Sequence, residues 1–439
     1  MLRISRVDAV PAVRSPEDLR VLIVAENASM RQGGESSLPV HWFLGLLREG
    51  VDVRLLVHGR NQPELDALLG DHASRVTYVR DTLLQKLLWK LGTPLPGPVQ
   101  SNTTGWFVHM LTQSVQRRVA RRLIERFQID VVHEPTPVTP RLPSMMYGLG
   151  VPVVIGPMNG NMTYPPGCGS ESLLERVFVP LGRSLTNLAN TLIPGKRQAA
   201  ILLVANERTR RALPRGCAGR VAVLCENGVE PDVWRRPADL PTRLGEGLRL
   251  GFLGRLVHWK GPDTVLEVFN EVRERFPSAE LWIIGDGPER ESLERRAEAL
   301  GLSRAVTFHG WADPADCSRL LSQCDVFLYP SVLDCGGAVV LEAMALGLPV
   351  VALNWGGVGD YIAPGCGVAI EPTPRPRLIS DLARAVQELT PERRRDLGEA
   401  ARREIAEKYT WPAKVRQVLD LYAEACEASR LERAVEARS

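Results

Sequence analysis

Two carboxyl groups and a pair of glycines near residue 335 have the residue types that can bind a sugar and a phosphate together. Asp334 and Glu342 stand eight positions apart, with Gly336 and Gly337 between them. Carboxylates accept hydrogen bonds from hydroxyl groups. Glycines at a helix start let an anionic ligand approach the unpaired backbone amides. The pattern therefore predicts a ligand with hydroxyls on either side of a phosphate, as in a sugar nucleotide.

The surrounding sequence predicts the elements that position these groups. An apolar strand over 325–330 leads into a short loop, a helix over 338–346 and a second apolar strand over 349–353. The amides of Gly337 and Ala338 stand at the helix start, where the helix dipole favours negative charge. A buried helix with an ordinary acidic cap is the alternative interpretation.

This stretch resembles the donor site of retaining glycosyltransferases of family 4, which have the GT-B fold. Asp334 and Glu342 match the family's Glu-x7-Glu pattern, and residues 343–351 read AMALGLPVV as in the family. The first acid is an aspartate here, one methylene shorter than the family's glutamate. The resemblance implies that Asp334 contacts the donor sugar and that Glu342 binds the ribose.

Arg255 and Lys260 are the candidate ligands of a diphosphate. Residues 254–261 (GRLVHWKG) resemble the family loop in which Arg and Lys bind the donor diphosphate. Negative charge develops on the diphosphate as the glycosidic bond breaks, so fixed cations would stabilise the transition state. The sequence contains no Asp-x-Asp motif, and we predict that these cations take the place of a metal ion. Two surface cations are the alternative interpretation.

Two glycine-containing loops complete the predicted donor site. Residues 285–288 (GDGP) resemble a turn of the family that follows a strand, which places Gly285 at the donor site. This turn is not a dinucleotide fingerprint, because Arg290 stands at the third glycine position. Gly33 and Gly34 resemble the family's N-terminal glycine loop, which faces the donor phosphates. A simple tight turn is the alternative for this pair.

Three residues of the first half are candidates for the acceptor site or the cleft. His133 and Glu134 end a strand over 129–133, and ligands of open α/β sheets bind beyond the carboxyl ends of strands. Asn159 follows a later strand, in a loop where many relatives place a histidine that contacts the sugar. The alternatives are a backbone hydrogen bond for His133 and an Asn-Gly turn at Asn159.

Length and motif order predict two Rossmann-like, doubly wound α/β domains that face a cleft. The 439 residues suffice for two domains, and four motifs of the second half occur in the family's order. The predicted division is a disordered leader (1–18), an acceptor-binding domain (19–229), a linker (230–247), a donor-binding domain (248–408), a helix that crosses back to the first domain (409–425) and a tail (426–439).

One segment of the first domain has an unusual apolar pattern. Leu83, Leu84, Leu87, Leu88 and Leu91 share a helical face beside lysines. Such a face can lie at a membrane surface or contact a hydrophobic acceptor. We favour a helix packed on its own domain, because amphipathic pattern alone does not establish an interfacial helix.

Composition excludes several classes of function. A net charge of +3 is too small to indicate nucleic-acid binding, and the sequence has no apolar run of about 18 residues that predicts a spanning helix. The eight cysteines are scattered without a C-x-x-C pair, which is typical of reduced thiols in a cytosolic protein. We expect a cytoplasmic protein, with peripheral association to the inner membrane face as a further expectation.

The resemblance implies a metal-independent transferase that needs no cofactor besides its nucleoside diphosphate sugar. The sugar passes to a hydroxyl of a glycan or a lipid-linked glycan with retention of anomeric configuration, as in polysaccharide or glycolipid synthesis. A non-catalytic nucleotide-sugar binder that regulates a partner is the main alternative. A phosphorylase or an epimerase on the same fold ranks below both.

Overall fold

Two parallel β-sheets with helices packed against them form the molecule. A computed structural model describes residues 18–32, 34–93, 104–165, 186–237 and 247–436. The strands are β1 (Arg20–Val24), β2 (Asp52–His58), β3 (Val76–Val79), β4 (Val131–Glu134), β5 (Val153–Met158), β6 (Ile201–Val204), β7 (Arg220–Val223), β8 (Arg249–Leu253), β9 (Glu280–Ile284), β10 (Val306–Gly310), β11 (Val326–Tyr329), β12 (Val350–Leu353) and β13 (Gly367–Ile370).

The α-helices of the described residues are α1 (Leu38–Arg48), α2 (Gln62–Leu69), α3 (Leu83–Gly92), α4 (Thr104–Phe127), α5 (Gly195–Gln198), α6 (Glu207–Arg210), α7 (Pro262–Arg275), α8 (Arg290–Ala299), α9 (Pro314–Leu321), α10 (Ala338–Ala345), α11 (Gly356–Tyr361), α12 (Arg375–Gln387), α13 (Pro391–Glu404) and α14 (Trp411–Glu436). Single turns of 3-10 helix include His258–Lys260, and a π-helical turn covers Ile405–Tyr409.

Strand order reverses once in each sheet. The first sheet runs β3-β2-β1-β4-β5-β6-β7 and the second runs β10-β9-β8-β11-β12-β13. All strand pairs are parallel. In open α/β sheets a ligand crevice lies beyond the carboxyl ends of the strands at such a reversal. In the second sheet the reversal is between β8 and β11, and both candidate donor loops follow these two strands.

Alternating side chains of β1 explain why helices pack on both faces of the first sheet. Val21 and Ile23 belong to one apolar cluster, together with residues of α1 and α14. Leu22 and Val24 belong to another, together with residues of α4. Successive strand residues point to opposite faces, so a continuous apolar strand predicts a sheet that is buried on both sides.

Helix α14 follows the second domain in sequence but packs on the first. Trp411, Val415 and Tyr422 are fully buried in the cluster that contains β1 and α1. The Val415 side chain occupies the space beside Gly45 of α1, where a Cβ atom would lie 2.6 Å away from it. The predicted fold class, including a helix that crosses back, is therefore confirmed.

Some boundaries differ from those that the sequence predicts. Helix α14 continues to Glu436, so most of the residues predicted as a tail (426–439) are helical. Residues 388–390 separate α12 from α13. Nearly all of the predicted leader lies outside the described residues, as does 238–246 of the predicted linker, and those parts of the domain division stay predictions.

The apolar face of α3 is the clearest correction. We expected its leucines to pack on the first domain, but Leu83, Leu84, Leu87 and Leu91 are exposed. The buried member of the helix is Gln85, whose amide donates to the Thr112 hydroxyl of α4 at 2.7 Å. A polar contact thus fixes the orientation of this helix.

Candidate functional site

Asp334 is the centre of the polar contacts at the start of α10. Its Oδ2 atom forms a short ion pair with the Lys260 ammonium group and accepts a hydrogen bond from the Tyr329 hydroxyl at 2.8 Å. Its Oδ1 atom accepts from the backbone N–H of Gly337 at 3.0 Å. The aspartate therefore joins the end of β11, the loop after β8 and the start of α10.

Gly336 and Gly337 are required by close packing at this turn. Gly337 has a φ of +48°, and a Cβ atom there would lie 2.8 Å from the Val358 side chain. At Gly336 a Cβ atom would lie 2.4 Å from both Glu226 and Asn227 of the first domain. Glycine avoids both contacts and tolerates the left-handed conformation. The backbone amides can then approach an anion closely, as the sequence predicts.

The loop after β8 is held against the end of β11, and this places Lys260. The Trp259 carbonyl accepts from the Val332 N–H at 2.9 Å and from the Ser331 hydroxyl at 3.0 Å. Gly261 has a φ of +74°, and a Cβ atom there would lie 2.6 Å from the Pro330 carbonyl oxygen. These contacts bring the 255–261 loop beside the 330–337 loop.

Arg255 lies in the same loop, but its side chain is exposed. The described residues give it no hydrogen-bond or ion-pair partner. The structure therefore brings Lys260 and Asp334 into direct contact, whereas Arg255 stays a prediction from the family pattern. A solvated guanidinium group next to β8 is available to a ligand without the loss of an internal ion pair.

Glu342 lies one turn into α10, half-buried and without a polar partner for its side chain among the described residues. Removal from water raises the pKa of this carboxyl group to about 8, because burial disfavours the charged form. The group lies close enough to Tyr329 to raise the pKa of that phenol as well. A desolvated carboxyl group without a partner is suited to a hydroxyl ligand.

Gly285 and Gly287 allow close backbone packing against the loop that carries Arg255. Gly285 has a φ of +128°, and a Cβ atom there would lie 2.0 Å from the Gly254 carbonyl oxygen. At Gly287 a Cβ atom would lie 2.4 Å from the Leu256 carbonyl oxygen. The 285–288 turn therefore packs against the residues on either side of Arg255. Direct contact of Gly285 with a donor stays a prediction.

His133 and Glu134 do not face the cleft, contrary to the prediction. The His133 ring bonds the Gly156 carbonyl oxygen through Nε2 and the Tyr422 hydroxyl through Nδ1, both at 2.6 Å. Burial lowers its pKa to about 4. Both residues end β4, and β5 beside it continues past them to Met158. Both side chains are buried.

Glu134 is enclosed by hydrogen-bond donors of the first domain. It accepts from the Gln113 amide at 2.7 Å and from the Ser144 hydroxyl. Burial raises its pKa to about 7, an effect opposed by the nearby buried Lys196. These contacts assign Glu134 to the interior of the domain.

Asn159 connects the first domain to the candidate site. Its amide nitrogen donates to the Glu226 carboxylate and to the Cys335 carbonyl oxygen, each at 2.7 Å. Its amide oxygen accepts from Arg208 at 3.1 Å. Asn159 therefore bonds the loop that carries Asp334. Of the predicted N-terminal glycine loop, Gly34 is exposed with a φ of +53°, and Gly33 lies outside the described residues.

Tyr329 and Glu226 are part of this arrangement, although the sequence did not single them out. Tyr329 is the last residue of an apolar strand and resembles an ordinary core aromatic. Glu226 stands directly before Asn227, Gly228 and Val229, which form the hinge at the end of the first domain. Burial raises the pKa of the Glu226 carboxyl group, and the nearby Asp334 charge contributes to this rise. An acidic residue directly before an Asn-Gly pair is the sequence feature that could have indicated Glu226.

Comparisons with known proteins agree with the fold. Residues 243–404 match the family described as glycosyl transferases group 1. Alpha-D-kanosaminyltransferase of Streptomyces kanamyceticus is 29% identical over 287 residues, which are 63% of this chain and 71% of that protein. D-inositol 3-phosphate glycosyltransferase of Corynebacterium urealyticum is 33% identical over 182 residues, 39% of this chain and 42% of that protein.

A solved structure extends the likeness to both domains. The crystal structure of HepE from Anabaena in complex with UDP aligns with a TM-score of 0.62 and 16% sequence identity, and the alignment covers 92% of this chain and 100% of that chain. At this identity the likeness concerns the fold. The chain has the GT-B fold of glycosyltransferases. The match to the glycosyl transferases group 1 family lies in its second domain.

Proposed function

We propose that this chain transfers a sugar from a nucleoside diphosphate sugar to an acceptor hydroxyl, with retention of anomeric configuration and without a metal ion. The observation that carries the proposal is the contact of Lys260 with Asp334 beside the glycine amides at the start of α10. Cation, carboxylate and amides lie together in the loops whose sequence resembles the family's donor site. The relatives' names and the UDP complex of HepE support the same class of donor.

In this proposal Lys260 and Arg255 bind the diphosphate. Backbone amides of Gly336, Gly337 and Ala338 add positive dipoles at the helix start. A carboxylate has about four lone-pair sites, and three at Asp334 are taken by Lys260, Tyr329 and the Gly337 amide. The remaining site accepts a sugar hydroxyl.

The half-buried carboxyl group of Glu342 binds the ribose hydroxyls. Because its pKa is near 8, it can both donate and accept a hydrogen bond at neutral pH.

The reaction breaks the bond between the anomeric carbon and the diphosphate oxygen, and the electron pair leaves with the diphosphate. The acceptor oxygen attacks the same face of the sugar, and its proton passes to the departing phosphate oxygen. Atoms and charge balance without a separate base. Lys260 and Arg255 stabilise the charge that develops on the leaving group, which is the work that a metal ion does in other transferases.

Donor binding tests the proposal. Calorimetric titration with UDP, GDP and ADP sugars identifies the donor. Lys260→Ala then tests the proposed contact with the diphosphate, and Glu342→Ala tests the proposed contact with the ribose. We expect both variants to weaken donor binding and transfer, whereas Lys408→Ala, which removes an exposed lysine paired with Glu404, leaves both unchanged. Unchanged donor affinity in both site variants contradicts the assignment. Activity that is lost on chelation and regained with magnesium or manganese contradicts metal independence.

A nucleotide-sugar binder without transfer is the second candidate. The occupied oxygens of Asp334 favour it, because a carboxylate held by three donors has little capacity left for a sugar. Turnover of a bound donor separates the two candidates: any transfer or slow hydrolysis excludes the binder.

The acceptor and the setting follow from the same family. We propose a glycan or a lipid-linked glycan as acceptor, as in polysaccharide or glycolipid synthesis. We also propose a cytoplasmic location with peripheral membrane association. None of the helices in the described part of the chain is both long and apolar enough to cross a bilayer.

A further inference from the structure

Helix α3 exposes its apolar side and buries a polar residue. Leu83, Leu84, Leu87 and Leu91 are exposed by between 52% and 86%. In an α-helix these positions lie on one side, since residues three and four apart are neighbours. Gln85 faces the domain instead, where it caps the helix start with Thr82 and bonds Thr112 of α4.

This orientation is fixed by specific contacts. Thr82 and Gln85 form reciprocal hydrogen bonds at the helix start, and the Gln85 amide continues to Thr112 at 2.7 Å. Rotation of α3 to bury its leucines would break the contact with Thr112 and leave a buried hydroxyl without it. A contiguous exposed face of four leucines is uncommon on a protein surface and marks a place of interaction.

The charges beside this face indicate its partner. Lys86 and Lys90 border the leucines along one edge, and α3 contains no acidic residue. Trp89 is 54% exposed on the same helix. Leucines bordered by lysines are typical of helices that lie in the interface of a bilayer, where lysine side chains extend to the headgroups.

We propose that α3 docks this protein on a membrane surface that contains anionic lipid. The leucines enter the boundary between headgroups and acyl chains, and Lys86 and Lys90 contact the lipid phosphates. The occupant is a bilayer, because anionic headgroups lie beside an apolar interior there, just as the lysines lie beside the leucines on α3.

The position of α3 relates this surface to the cleft. It follows β3, so it begins at the carboxyl edge of the first sheet. Its partner Thr112 lies one turn after His109, which pairs with Glu26 at the carboxyl end of β1. Docking through α3 therefore brings the bilayer to the rim of the cleft. If the proposed transfer is correct, the acceptor is anchored in that bilayer; the docking itself does not depend on the transfer.

Vesicle flotation tests the docking. The full chain is mixed with phosphatidylcholine vesicles, with and without phosphatidylglycerol, and the bound fraction is measured against lipid concentration. We expect binding to the vesicles with phosphatidylglycerol and weakening by salt. Leu84→Gln/Leu87→Gln/Leu91→Gln should weaken binding at least about tenfold, because apolar burial in the interface is lost. Lys86→Glu/Lys90→Glu should weaken it about fivefold per lysine.

A matched variant controls for exposed apolar residues in general. Leu431→Gln/Val435→Gln changes two similarly exposed residues of α14 and should bind vesicles as the natural chain does. Thermal unfolding and calorimetric donor binding confirm that each variant is folded and that its donor site is intact.

Three results overturn the docking proposal. They are no binding of the natural chain to vesicles with phosphatidylglycerol, equal binding by the leucine variant, and a dimer in light scattering that only the leucine variant loses. Failure of donor binding in the natural chain would instead contradict the proposed function and leave the vesicle result as it stands.

Discussion

Lys260 and Asp334 form a charged contact at the place where a diphosphate is proposed to bind. The ammonium group is shared between the carboxylate and any anionic ligand, so the two compete. Tyr329 and the Gly337 amide hold Asp334 in place. The sequence placed both residues at the donor site but gave no sign of a contact across 74 positions, because that depends on how two loops fold against each other.

Two substitutions with opposite expected effects test this contact. Lys260→Met removes a charged donor and should weaken binding of the nucleoside diphosphate about 10- to 100-fold. Asp334→Asn keeps an oxygen for the Gly337 amide but releases Lys260, so it should bind the nucleoside diphosphate as tightly as the natural chain or more tightly. Calorimetric titration measures both. Weaker binding by Asp334→Asn than by Lys260→Met contradicts the competition.

Glu342 makes stability depend on pH. Its folded pKa is about 8 instead of the usual 4.5, so between these values the folded chain holds a proton that the unfolded chain has released. The contribution of this carboxyl group to the free energy of unfolding is fully present below pH 4.5. It is lost as the pH rises through 8. Glu342→Gln removes the effect. The free energy of unfolding of Glu342→Gln relative to the natural chain should therefore rise with pH, by at most about 1.4 kcal/mol per unit.

Urea denaturation at several pH values between 5 and 8 measures this difference, because the slope of stability against pH reports the difference in bound protons. Glu291→Gln is the control, since the Glu291 side chain is 88% exposed, and its curve should run parallel to that of the natural chain. A parallel curve for Glu342→Gln as well would show that this carboxyl group is ionised in the folded protein.

At the scale of elements, α14 is fixed to the first domain by polar contacts inside an apolar surface. The Lys414 ammonium group donates to the carbonyl oxygens of Glu226 and Asn227 at 2.8 and 2.7 Å, and it lies near the Trp42 and Trp411 rings. Buried amines of this kind need such acceptors. The helix is therefore bonded to the hinge between the domains as well as packed on the first sheet.

Tyr422→Phe tests a second polar contact of α14. The Gly156 carbonyl oxygen can only accept, so His133 donates to it from Nε2 and accepts the Tyr422 hydroxyl at Nδ1. Loss of that hydroxyl leaves a buried ring nitrogen without a donor, at a cost of about 1–3 kcal/mol. Chemical denaturation measures this cost. Tyr78→Phe, which removes an exposed bond to Asp66, should cost less; equal costs contradict the argument.

The elements also show what the sequence can and cannot predict. Apolar runs such as 249–253 predict buried parallel strands, because every residue of such a strand meets a covering layer. The leucine spacing of α3 likewise predicts a helix. It does not predict which side faces the domain, since that is decided by Gln85 reaching Thr112, 27 positions away. The prediction for His133 was wrong for a related reason, because one of its two hydrogen-bond partners, Tyr422, comes from α14.

At the scale of the whole molecule, a few polar contacts join the two domains beside the site. Asn159 bonds Cys335 in the second domain, Asn206 bonds Asp360 at 2.9 Å, and the Trp355 ring N–H donates to the Thr163 carbonyl oxygen at 2.9 Å. Such sparse polar interfaces permit domain movement. The Asn159 contact is the buried one and acts on the loop that carries Asp334.

Asn159→Ala should therefore affect both domain arrangement and donor binding. It removes the bond to Cys335 and leaves the buried Glu226 carboxylate with one donor fewer. We expect a severalfold loss of donor affinity and a larger radius of gyration in small-angle scattering, because the domains separate more readily. Asp360→Ala cuts the exposed bond to Asn206 from the other domain and should change neither by much. An Asn159→Ala variant with natural affinity and radius contradicts this role.

The return of α14 to the first domain also determines when each domain is completed during synthesis. Strands β1 to β7 leave the ribosome first. The apolar surface around Trp42 and Gly45 stays exposed until Trp411 and Val415 of α14 emerge and cover it. The second sheet, by contrast, is contiguous in the chain from β8 to β13. The second domain therefore completes its sheet before the first domain receives its last helix, although the first domain comes earlier in the sequence.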